Sequence, residues 1–324
     1  MKNEQSNKFS NERLITGLVS IIIPSYNQAS FIRDTIESCL RQDYRPLEVI
    51  IIDGASTDDT IDILHEYDHV PEIRWISEPD TGVAEAVNKG FAMARGEIAA
   101  IQSSDDSYLD GAVSQALKYF QENPSIGLVY ADVENIDIAG NQISTFHSAP
   151  FSIENFLSKS TLILQPAAFF KLEIAKQLGG WNPEYFNCDT EMWLRMIFRV
   201  PALKVDQLWA RRTLHDGQRN LETWEIIQSN TRMIRESSDI KNSSRRIRRA
   251  AKCGIYLTAA TYNSANQCLT RFYIWRAFFK YPEIIQQRPK LLGQMIPYYW
   301  TINRWFMRAT RAPQKLYKIL IKSI

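Results

Sequence analysis

Three short apolar runs in the first third of the chain end in polar residues that could bind a nucleotide and a metal. The runs end in Pro24–Tyr26, in Asp53 and in Ser104–Asp106. Ligands of open α/β sheets bind outside the carboxyl ends of parallel strands. Mg²⁺ and Mn²⁺ bind carboxylate oxygens together with phosphate oxygens. The pattern therefore predicts a nucleotide site with a divalent metal at its rim, although Ser104–Asp106 taken alone could also be a solvated turn that caps the next helix.

The apolar runs alternate with helical patterns, and this alternation predicts the fold that brings the polar ends together. Strands are predicted at 18–24, 47–52, 72–77 and 97–101, with helices at 30–42, from 57 or 58 onward, at 82–95 and at 110–122. Such alternation is typical of βαβ units and a parallel sheet. Right-handed crossovers then place the strand ends on a common edge.

After Asn123 and Pro124 the pattern changes to α+β, which we expect to continue the same core. Strands are predicted at 127–131, 141–146 and 203–210, helices at 172–178 and 190–199, and a mixed run at 161–170. Residues 221–324 are predicted to be nearly all helix. The length of 324 residues suggests about two domains. We divide the chain into a polar segment 1–17, a catalytic domain 18–239 and a basic helical region 240–324.

The charge of the chain is strongly asymmetric. Residues 241–324 contain 17 Lys and Arg but one acid, Glu283, whereas residues 1–240 contain 21 basic and 35 acidic residues. Such asymmetry favours a polyanion or an anionic membrane surface as partner. The basic region could instead pack on the catalytic domain, or bind a protein partner such as a second copy in a homo-oligomer. No recognition motif indicates nucleic-acid binding.

Several features predict a cytoplasmic protein, with the inner face of the membrane as a peripheral location. Residues 1–11 are polar and lack the apolar core of a secretory signal. No stretch of about 18 apolar residues predicts a spanning helix. The four cysteines show no CxxC spacing, so we expect reduced thiols.

The motifs together resemble the inverting family-2 glycosyltransferases of the GT-A fold, over about residues 18–220. The matching segments, in chain order, are 19–27, 53–58, 78–82, 88–90, 104–106, 179–181 and 188–195. Each segment alone is weak, but their common order is specific. The resemblance implies a mostly parallel α/β sheet flanked by helices. It also implies an Mn²⁺ or Mg²⁺ cofactor, a nucleotide-diphosphate sugar donor such as a UDP-sugar, and a saccharide or lipid-linked saccharide acceptor in polysaccharide biosynthesis.

The resemblance also implies roles for residues at the donor side. Asp106 is expected to bind the metal, with His215 as a second candidate ligand. Arg211 and Arg212, just before His215, are expected to hold the diphosphate. The residues expected to contact the nucleotide or the donor sugar are Pro24, Ser25, Tyr26, Asp53, Asp80, Lys89 and Asp105. Asp53 could instead hold a turn, and Lys89 could be a solvated helix lysine.

The candidate base is Asp189, because a sugar hydroxyl needs a positioned carboxylate to accept its proton as the new bond forms. Glu191 is the second candidate, although a first-turn acid on a helix is also favoured by the macrodipole. Arg195 fits an i,i+4 pair with Glu191. Trp181 and Trp193 could stack on an acceptor sugar or belong to the core.

The chain departs from the family pattern at several positions. Gly54 replaces a frequent second Asp, Ala55 a Gly, Cys188 a Glu and Gln218 a Ser. The chain lacks the motifs of two other enzyme classes. A sugar-phosphate nucleotidyltransferase would need a Gly-rich basic loop after the first strand, and an oxidoreductase would need GxGxxG there. A non-catalytic nucleotide-sugar-binding protein is the remaining alternative.

Overall fold

The computed structural model describes Phe9, residues 13–216 and residues 223–295. Its strands are β1 Ile15–Ser25, β2 Leu47–Asp53, β3 Ile73–Ser77, β4 Gly96–Ile101, β5 Asp106–Tyr108, β6 Leu128–Ile136, β7 Gln142–Phe146, β8 Ala168–Lys171 and β9 Ala202–Thr213. The helices up to residue 197 are α1 Ile32–Leu40, α2 Thr60–His65, α3 Val83–Met93, α4 Ala112–Glu122, α5 Ile153–Leu157, α6 Leu172–Gln177 and α7 Cys188–Ile197. The later helices are α8 Thr223–Glu236, α9 Ser238–Asn242, α10 Arg245–Tyr262, α11 Gln267–Lys280, α12 Ile284–Gln287 and α13 Leu291–Met295.

The described strands form one sheet in the order β3-β2-β1-β4-β8-β6-β9-β5, with β7 added beside β6. Strands β3, β2, β1 and β4 are parallel to one another. Beyond β4 the pairing is mixed, because β8 is antiparallel to both β4 and β6 whereas β6 and β9 are parallel. The carboxyl ends of β1, β2 and β3 lie in register, since Ser25 pairs with Asp53 and Asp53 with Ser77.

Alternate residues of the central strands supply two separate cores, one on each face of the sheet. Ile22 and Ile50 belong to the core under α3, α6 and α7, whereas Ile21 and Ile23 belong to the core under α1 and α4. Both faces are therefore covered, which explains why these strands are continuously apolar in sequence. The three-layer arrangement leaves the strand ends as the accessible part of the sheet.

The described C-terminal helices pack on the same core as α3 and α7. Met233 of α8, Leu257 of α10 and Ile285 of α12 belong to one buried cluster with Ile22 and Phe170 of the sheet. The described part of the basic region therefore contacts the catalytic domain extensively. The boundary at residues 239 and 240 stays a prediction, and residues 296–324 of that region lie outside the described residues.

The structure confirms the predicted strands and helices of residues 18–122 to within about three residues at each end. Two strands were not predicted. Asp106 begins β5, which pairs with β9, so the acidic segment 104–106 is a turn that leads directly into a strand. The mixed run 161–170 contains β8. All four cysteines are free thiols. Within the described ranges, we find no helix that combines the length and apolarity needed to cross a bilayer.

Candidate active site

The predicted metal residues lie together where β4 and β9 end and β5 begins. Nε2 of His215 lies 3.0 Å from Oδ2 of Asp105, and the imidazole stacks on Phe31 with 4.9 Å between ring centroids. Asp106 is buried and its Oδ1 accepts a hydrogen bond of 3.1 Å from the backbone N–H of Thr213. The strand pairing of β5 with β9 therefore places both carboxylates and the imidazole at one edge.

Asp106 occupies an unfavourable electrostatic environment for a charged carboxylate. Burial raises the pKa of Asp106 well above its ordinary value, and the neighbouring Asp105 raises it further. The Thr213 N–H and the charge of Arg212 act in the opposite direction without compensating fully. A cation bound at this edge would stabilise the ionised form of Asp106.

Thr35 and Ser38 of α1, together with Gln42 just after the helix, hold the acidic turn in place. The Thr35 hydroxyl donates to the carbonyl oxygens of Ser104, at 3.0 Å, and Asp106, at 2.7 Å. Ser38 Oγ accepts from the Tyr108 N–H, and Gln42 Nε2 donates to the carbonyl of residue 109. Thr35, Ser38 and Gln42 are all buried. None of these three residues was predicted, although polar side chains at i, i+3 and i+7 of the predicted helix 30–42 were a usable signal.

The donor atoms at this edge fit a divalent cation that is shared with a bound diphosphate. Two carboxylates and one imidazole are ligands that Mn²⁺ accepts, and Mg²⁺ is commonly held by one or two carboxylates plus substrate phosphates. Among the described residues, no three or more His, Cys, Asp or Glu side chains converge closely enough to hold a metal by themselves. Phosphate and water oxygens would therefore have to complete the coordination. Asp106 and His215 remain the predicted ligands.

The predicted nucleotide residues at the ends of β1 and β2 fall into two groups. Tyr26 is 59% exposed, so its ring is available for stacking on a base. A Cβ built on Gly54 would lie 3.0 Å from Oδ2 of Asp80 and 3.4 Å from Cδ2 of Tyr26. The structure therefore brings Tyr26 and Asp80 together across Gly54. The glycine that departs from the family pattern allows this close approach.

Asp53 and Pro24 are buried at the ends of β2 and β1. The Asp53 carboxylate is fully buried and accepts hydrogen bonds from Ser56 N–H, Ser56 Oγ and Ser77 Oγ at 2.5 to 2.8 Å. These three internal donors support the alternative that Asp53 holds a turn, and its nucleotide contact stays a prediction. The nucleotide contact of Pro24, which is buried within β1, also stays a prediction. Ser25 stays a candidate, because its buried hydroxyl has no hydrogen-bond partner among the described residues.

Lys89 is paired with acids rather than held ready for a diphosphate. Its Nζ lies 2.9 Å from Glu78 and 3.4 Å from Glu85, and it donates to the carbonyl of Pro79 at 3.2 Å. These contacts fix the loop that carries Asp80. A role of Lys89 at the diphosphate stays a prediction.

The two adjacent arginines of β9 point in opposite directions, as neighbours on a strand must. Arg211 forms a cross-strand ion pair with Glu134 at 2.7 Å, and its role at the diphosphate stays a prediction. Arg212 interacts electrostatically with Asp106, and its buried Nε has no hydrogen-bond partner within the described ranges. Arg212 is therefore the better candidate for holding a diphosphate.

The two candidate bases lie in the first turn of α7 in different environments. Both oxygens of the buried Glu191 bind Arg195, at 2.7 and 2.6 Å, which confirms the predicted i,i+4 pair. A carboxylate held by a two-pronged guanidinium contact is a poor proton acceptor. Asp189 is only half-buried, and it interacts electrostatically with Lys159 and with Tyr262 of α10. The arrangement favours Asp189 over Glu191.

Both tryptophans proposed to stack on an acceptor belong to the core. Trp181 is 4% and Trp193 1% exposed, and Trp193 packs edge-on against Phe170. Neither ring offers an exposed face, so the acceptor-stacking prediction for both is corrected to a packing role. Asn88 holds the backbone of Trp181 through two hydrogen bonds of 2.8 Å. The 88–90 motif therefore positions the 179–181 turn.

Comparison with known proteins agrees with this fold and site. Residues 20–174 match the model of Glycosyl transferase family 2. The matched segment contains the second half of β1, strands β2 to β8 and the acidic turn, whereas β9 and His215 lie outside it. Over this segment, which is just under half of the chain, the protein is similar to glycosyl transferase family 2.

Several curated relatives are similar over part of their length. The chondroitin synthase of Escherichia coli is 33% identical over 215 residues, which cover 66% of this chain and 31% of that protein. The hyaluronan synthase of Pasteurella multocida is 29% identical over 216 residues, or 66% of this chain and 22% of that one. The putative teichuronic acid biosynthesis glycosyltransferase TuaG of Bacillus subtilis is 34% identical over 138 residues, or 42% and 54%. The chain thus spans about a third or less of the two synthases.

Solved structures show the same GT-A glycosyltransferase fold. The S. aureus TarS 1–349 complex with UDP-GlcNAc matches with a TM-score of 0.60 and 14% identity, over 86% of this chain and 89% of that one. The mannosyltransferase PcManGT from Pyrobaculum calidifontis, in complex with GDP-Man and Mn²⁺, matches with a TM-score of 0.57 and 20% identity, over 80% and 73%. At these identities the likeness concerns the fold alone.

Proposed function

We propose that this chain is a metal-dependent, inverting glycosyltransferase that moves a sugar from a nucleotide-diphosphate sugar to a saccharide hydroxyl. The observation that carries the proposal is the grouping of Asp105, Asp106 and His215 at one edge of the sheet. Arg212 links this edge to the candidate base, because it interacts with Asp106 and with Tyr262, which in turn interacts with Asp189. This series of electrostatic interactions supports a donor side and an acceptor side that lie near each other.

The residues of the chain divide the chemistry between donor and acceptor. Tyr26 and Asp80 hold the nucleoside, while Arg212 places positive charge near the diphosphate. Asp189 accepts the proton of the acceptor hydroxyl while the hydroxyl oxygen attacks the anomeric carbon on the side opposite the diphosphate. The diphosphate leaves, and the configuration at the anomeric carbon is inverted. A positioned base of this kind contributes about 10²–10⁴-fold to a rate. A divalent cation bound at Asp106 and His215 would neutralise charge on the departing diphosphate.

The test is an assay of nucleotide sugars with Mn²⁺ or Mg²⁺ and saccharide acceptors. We expect a UDP-sugar to be turned over by wild type, and Asp189→Asn to lose about 10²–10⁴-fold in kcat with little change in donor affinity. The Glu191→Gln variant tests the other carboxylate, and it should lose stability more than kcat. Turnover by Asp189→Asn at the wild-type rate would refute the assignment of the base.

The acceptor is proposed to be a growing or lipid-linked saccharide in polysaccharide assembly. Support comes from the relatives, whose names are those of chondroitin, hyaluronan and teichuronic acid biosynthesis enzymes. Acceptor oligosaccharides of increasing length test this proposal. A protein that used only water or a single free sugar as acceptor would contradict it.

A peripheral contact with an anionic membrane is proposed for the outer face of α11. Phe272 and Phe279 are 49% and 62% exposed there, and Arg276 and Lys280 are exposed beside them. Exposed aromatics among basic residues suit an anionic lipid surface. We expect the protein to co-sediment with vesicles that contain phosphatidylserine but not with neutral ones, and the double change Phe272→Ser and Phe279→Ser to abolish this. Equal binding of both vesicle types would argue against the proposal.

A further inference from the structure

One exposed face of α10 carries positive charge without a matching acid among the described residues. Arg245, Arg248 and Lys252 are all exposed and follow one another at intervals of three and four residues, so they lie on the same side of the helix. The opposite side of α10, which contains Ala250 and Leu257, is buried. We call these three cations the α10 basic face.

The charges of the α10 basic face are not balanced by carboxylates of the protein. Within the described ranges, none of its three side chains forms an ion pair, whereas the adjacent Arg246 pairs with Glu154 at 3.5 Å. Arg248 donates only to the backbone carbonyls of Lys241, at 3.4 Å, and Ser243. Like charges three and four residues apart destabilise a helix. The arrangement therefore costs stability unless a partner supplies negative charge.

The length of the α10 basic face fits a chain of anionic groups better than a single anion. Seven residues separate Arg245 from Lys252, which corresponds to about 10 Å along the axis of an α-helix. One carboxylate or phosphate group is too small to contact cations at both ends. A polyanion can contact all three cations together, and its binding releases the small counterions that otherwise surround these charges.

The α10 basic face differs in composition from the outer face of α11. Phe272 and Phe279 of α11 are exposed beside its cations, but no large apolar side chain of α10, which the structure describes completely, is exposed. Helices that lie on membranes combine cations with apolar or aromatic side chains. Surfaces for single-stranded nucleic acid combine cations with aromatic side chains that stack on bases. A hydrophilic polyanion without such requirements fits the α10 basic face better than either.

Helix α8 lies between α10 and the helix that carries the candidate base. α8 contacts α10, and the Ser229 hydroxyl of α8 donates to Oδ1 of Asn187, the residue that precedes α7. Asp189 follows two residues later in the first turn of α7. The α10 basic face is therefore one helix away from α7. A chain of several sugars, rather than a single sugar, is needed to reach both.

We propose that the α10 basic face binds the anionic groups of an acidic saccharide chain. This inference rests on the proposed function, in which a saccharide is the acceptor, and it adds that the acceptor carries carboxylate or phosphate groups along its length. Charge complementarity supports it, because three exposed cations have no acid partner within the described part of the chain. The hydrophilic surroundings of these cations select a saccharide over a lipid surface.

The central experiment measures the binding of defined saccharides to the full chain by calorimetry in EDTA. Oligogalacturonates have one carboxylate on every sugar, whereas maltooligosaccharides of the same length are neutral. We expect wild type to bind a long oligogalacturonate at least about tenfold more tightly than either a short one or the neutral oligomer of the same length. The affinity should fall as salt rises, because exposed charges are screened and counterion release is weakened.

A triple variant and a matched control locate this binding. The triple variant has glutamine in place of the three cations of the α10 basic face, and it should bind the long oligogalacturonate at least about tenfold more weakly, with a smaller dependence on salt. The control loses the same charge at three exposed cations outside the C-terminal helices and should bind as wild type. Its changes are Arg13→Gln, Arg41→Gln and Lys118→Gln.

The melting temperature of the triple variant should not fall, since the change removes like-charge repulsion within α10. The double change Arg245→Gln and Lys252→Gln keeps the hydrogen bonds of Arg248, and it covers the case in which the triple variant fails to fold. We expect it to weaken binding of the long oligogalacturonate severalfold, and undiminished binding by the double variant would contradict the inference.

Three results would overturn the inference. The first is equal binding of the long oligogalacturonate by the triple variant and wild type. The second is a triple variant that loses binding to phosphatidylserine vesicles or to a single-stranded oligonucleotide but keeps binding to oligogalacturonate. The third is self-association of wild type, measured by sedimentation, that the triple change abolishes without affecting saccharide binding. Wild type that transfers no sugar to any saccharide would instead refute the proposed function.

Discussion

The two ends of the parallel half of the sheet both contain buried carboxylates, but their surroundings are opposite. At the amino end of β2, Glu48 is surrounded by donors and cations of the protein itself. At the carboxyl edge, Asp106 lies beside another acid. The comparison distinguishes Glu48, whose carboxylate stabilises the fold, from Asp106, whose carboxylate would bind a ligand.

The Glu48 carboxylate is hydrogen-bonded by donors of the protein itself. It accepts from Ser20 Oγ at 2.6 Å, from Arg74 Nη2 at 2.8 Å, and from the N–H and Nη2 of Arg95 at 2.8 and 2.9 Å. Burial alone would raise the pKa of Glu48, but the hydrogen bonds from Ser20 and Arg95 and the charge of Arg74 outweigh it and lower the pKa. The ionised form is therefore favoured in the folded protein.

Asp106 shows the reverse. Burial and the neighbouring Asp105 raise its pKa, and the opposing contributions of Thr213 and Arg212 are smaller. Sheets of this class use the carboxyl ends of their strands for ligands. The difference indicates that the charge of Glu48, at the amino end, stabilises the fold. The charge of Asp106, at the carboxyl end, would be balanced by a bound cation and diphosphate.

The largest effect is expected for the sugar-transfer activity of an Asp106 variant. Asp106→Asn should lower sugar transfer at least about 100-fold, because a metal ligand is lost. Its melting temperature without metal should not fall, since the change removes an uncompensated buried charge while the amide oxygen can still accept from Thr213. Transfer assays and thermal unfolding in EDTA measure both. A strongly destabilised variant would show that Asp106 supports the fold as Glu48 does.

Glu48→Gln should show the opposite result. It leaves Arg74 and Arg95 without their shared carboxylate, and breaking one partner of a buried ion pair typically costs about 3 kcal/mol or more. Because both arginines are partly exposed, we expect a loss of unfolding free energy of about 3 kcal/mol. Urea unfolding measures the loss, and kcat per folded molecule should stay at the wild-type value. A loss of kcat without loss of stability would break the comparison.

The pH dependence of stability should also identify Glu48. Because its pKa is lowered in the folded state, its contribution is fully present above the unfolded value of about 4.3 and is lost as pH falls through the folded pKa. The difference in unfolding free energy between wild type and Glu48→Gln should therefore be constant from pH 6 to 8 and shrink below about pH 4.5. A difference that grew on acidification would contradict the assigned sign.

The smallest expected effects come from one serine at each end. Ser20→Ala removes buried hydrogen bonds to Glu48 and to the N–H of Gly96, and should cost about 2 kcal/mol without changing the donor KM. Ser77→Ala removes one of the hydrogen bonds to Asp53 at an exposed position, and should cost about 0.5 kcal/mol while raising the donor KM. Equal stability losses at both ends would remove the distinction.

The fold could be predicted largely because periodicity is a local property. The apolar runs of β1, β2 and β4 and the stripes of α1, α3 and α4 alternate regularly, and the structure confirms them. Strand β5 was missed because three residues with two polar side chains give no periodic signal. Its existence depends on the distant partner β9, which no local pattern contains.

The site was predicted less completely, because residue type and motif order do not show which way a side chain points. Arg211 and Arg212 are indistinguishable in sequence, and only the register of β9 separates them. Asp53 and Trp193 match their motifs but face the interior.

The most direct test of the central claim is calorimetric titration of nucleotide diphosphates, UDP first and then GDP, into the protein with Mn²⁺ or with EDTA. We predict that wild type and Asp189→Asn bind one of them with similar affinity when Mn²⁺ is present and lose that binding in EDTA. Asp106→Asn should not bind it under either condition. Equal binding in EDTA, or undiminished binding by Asp106→Asn, would show that the carboxylate edge does not hold a cation for the donor.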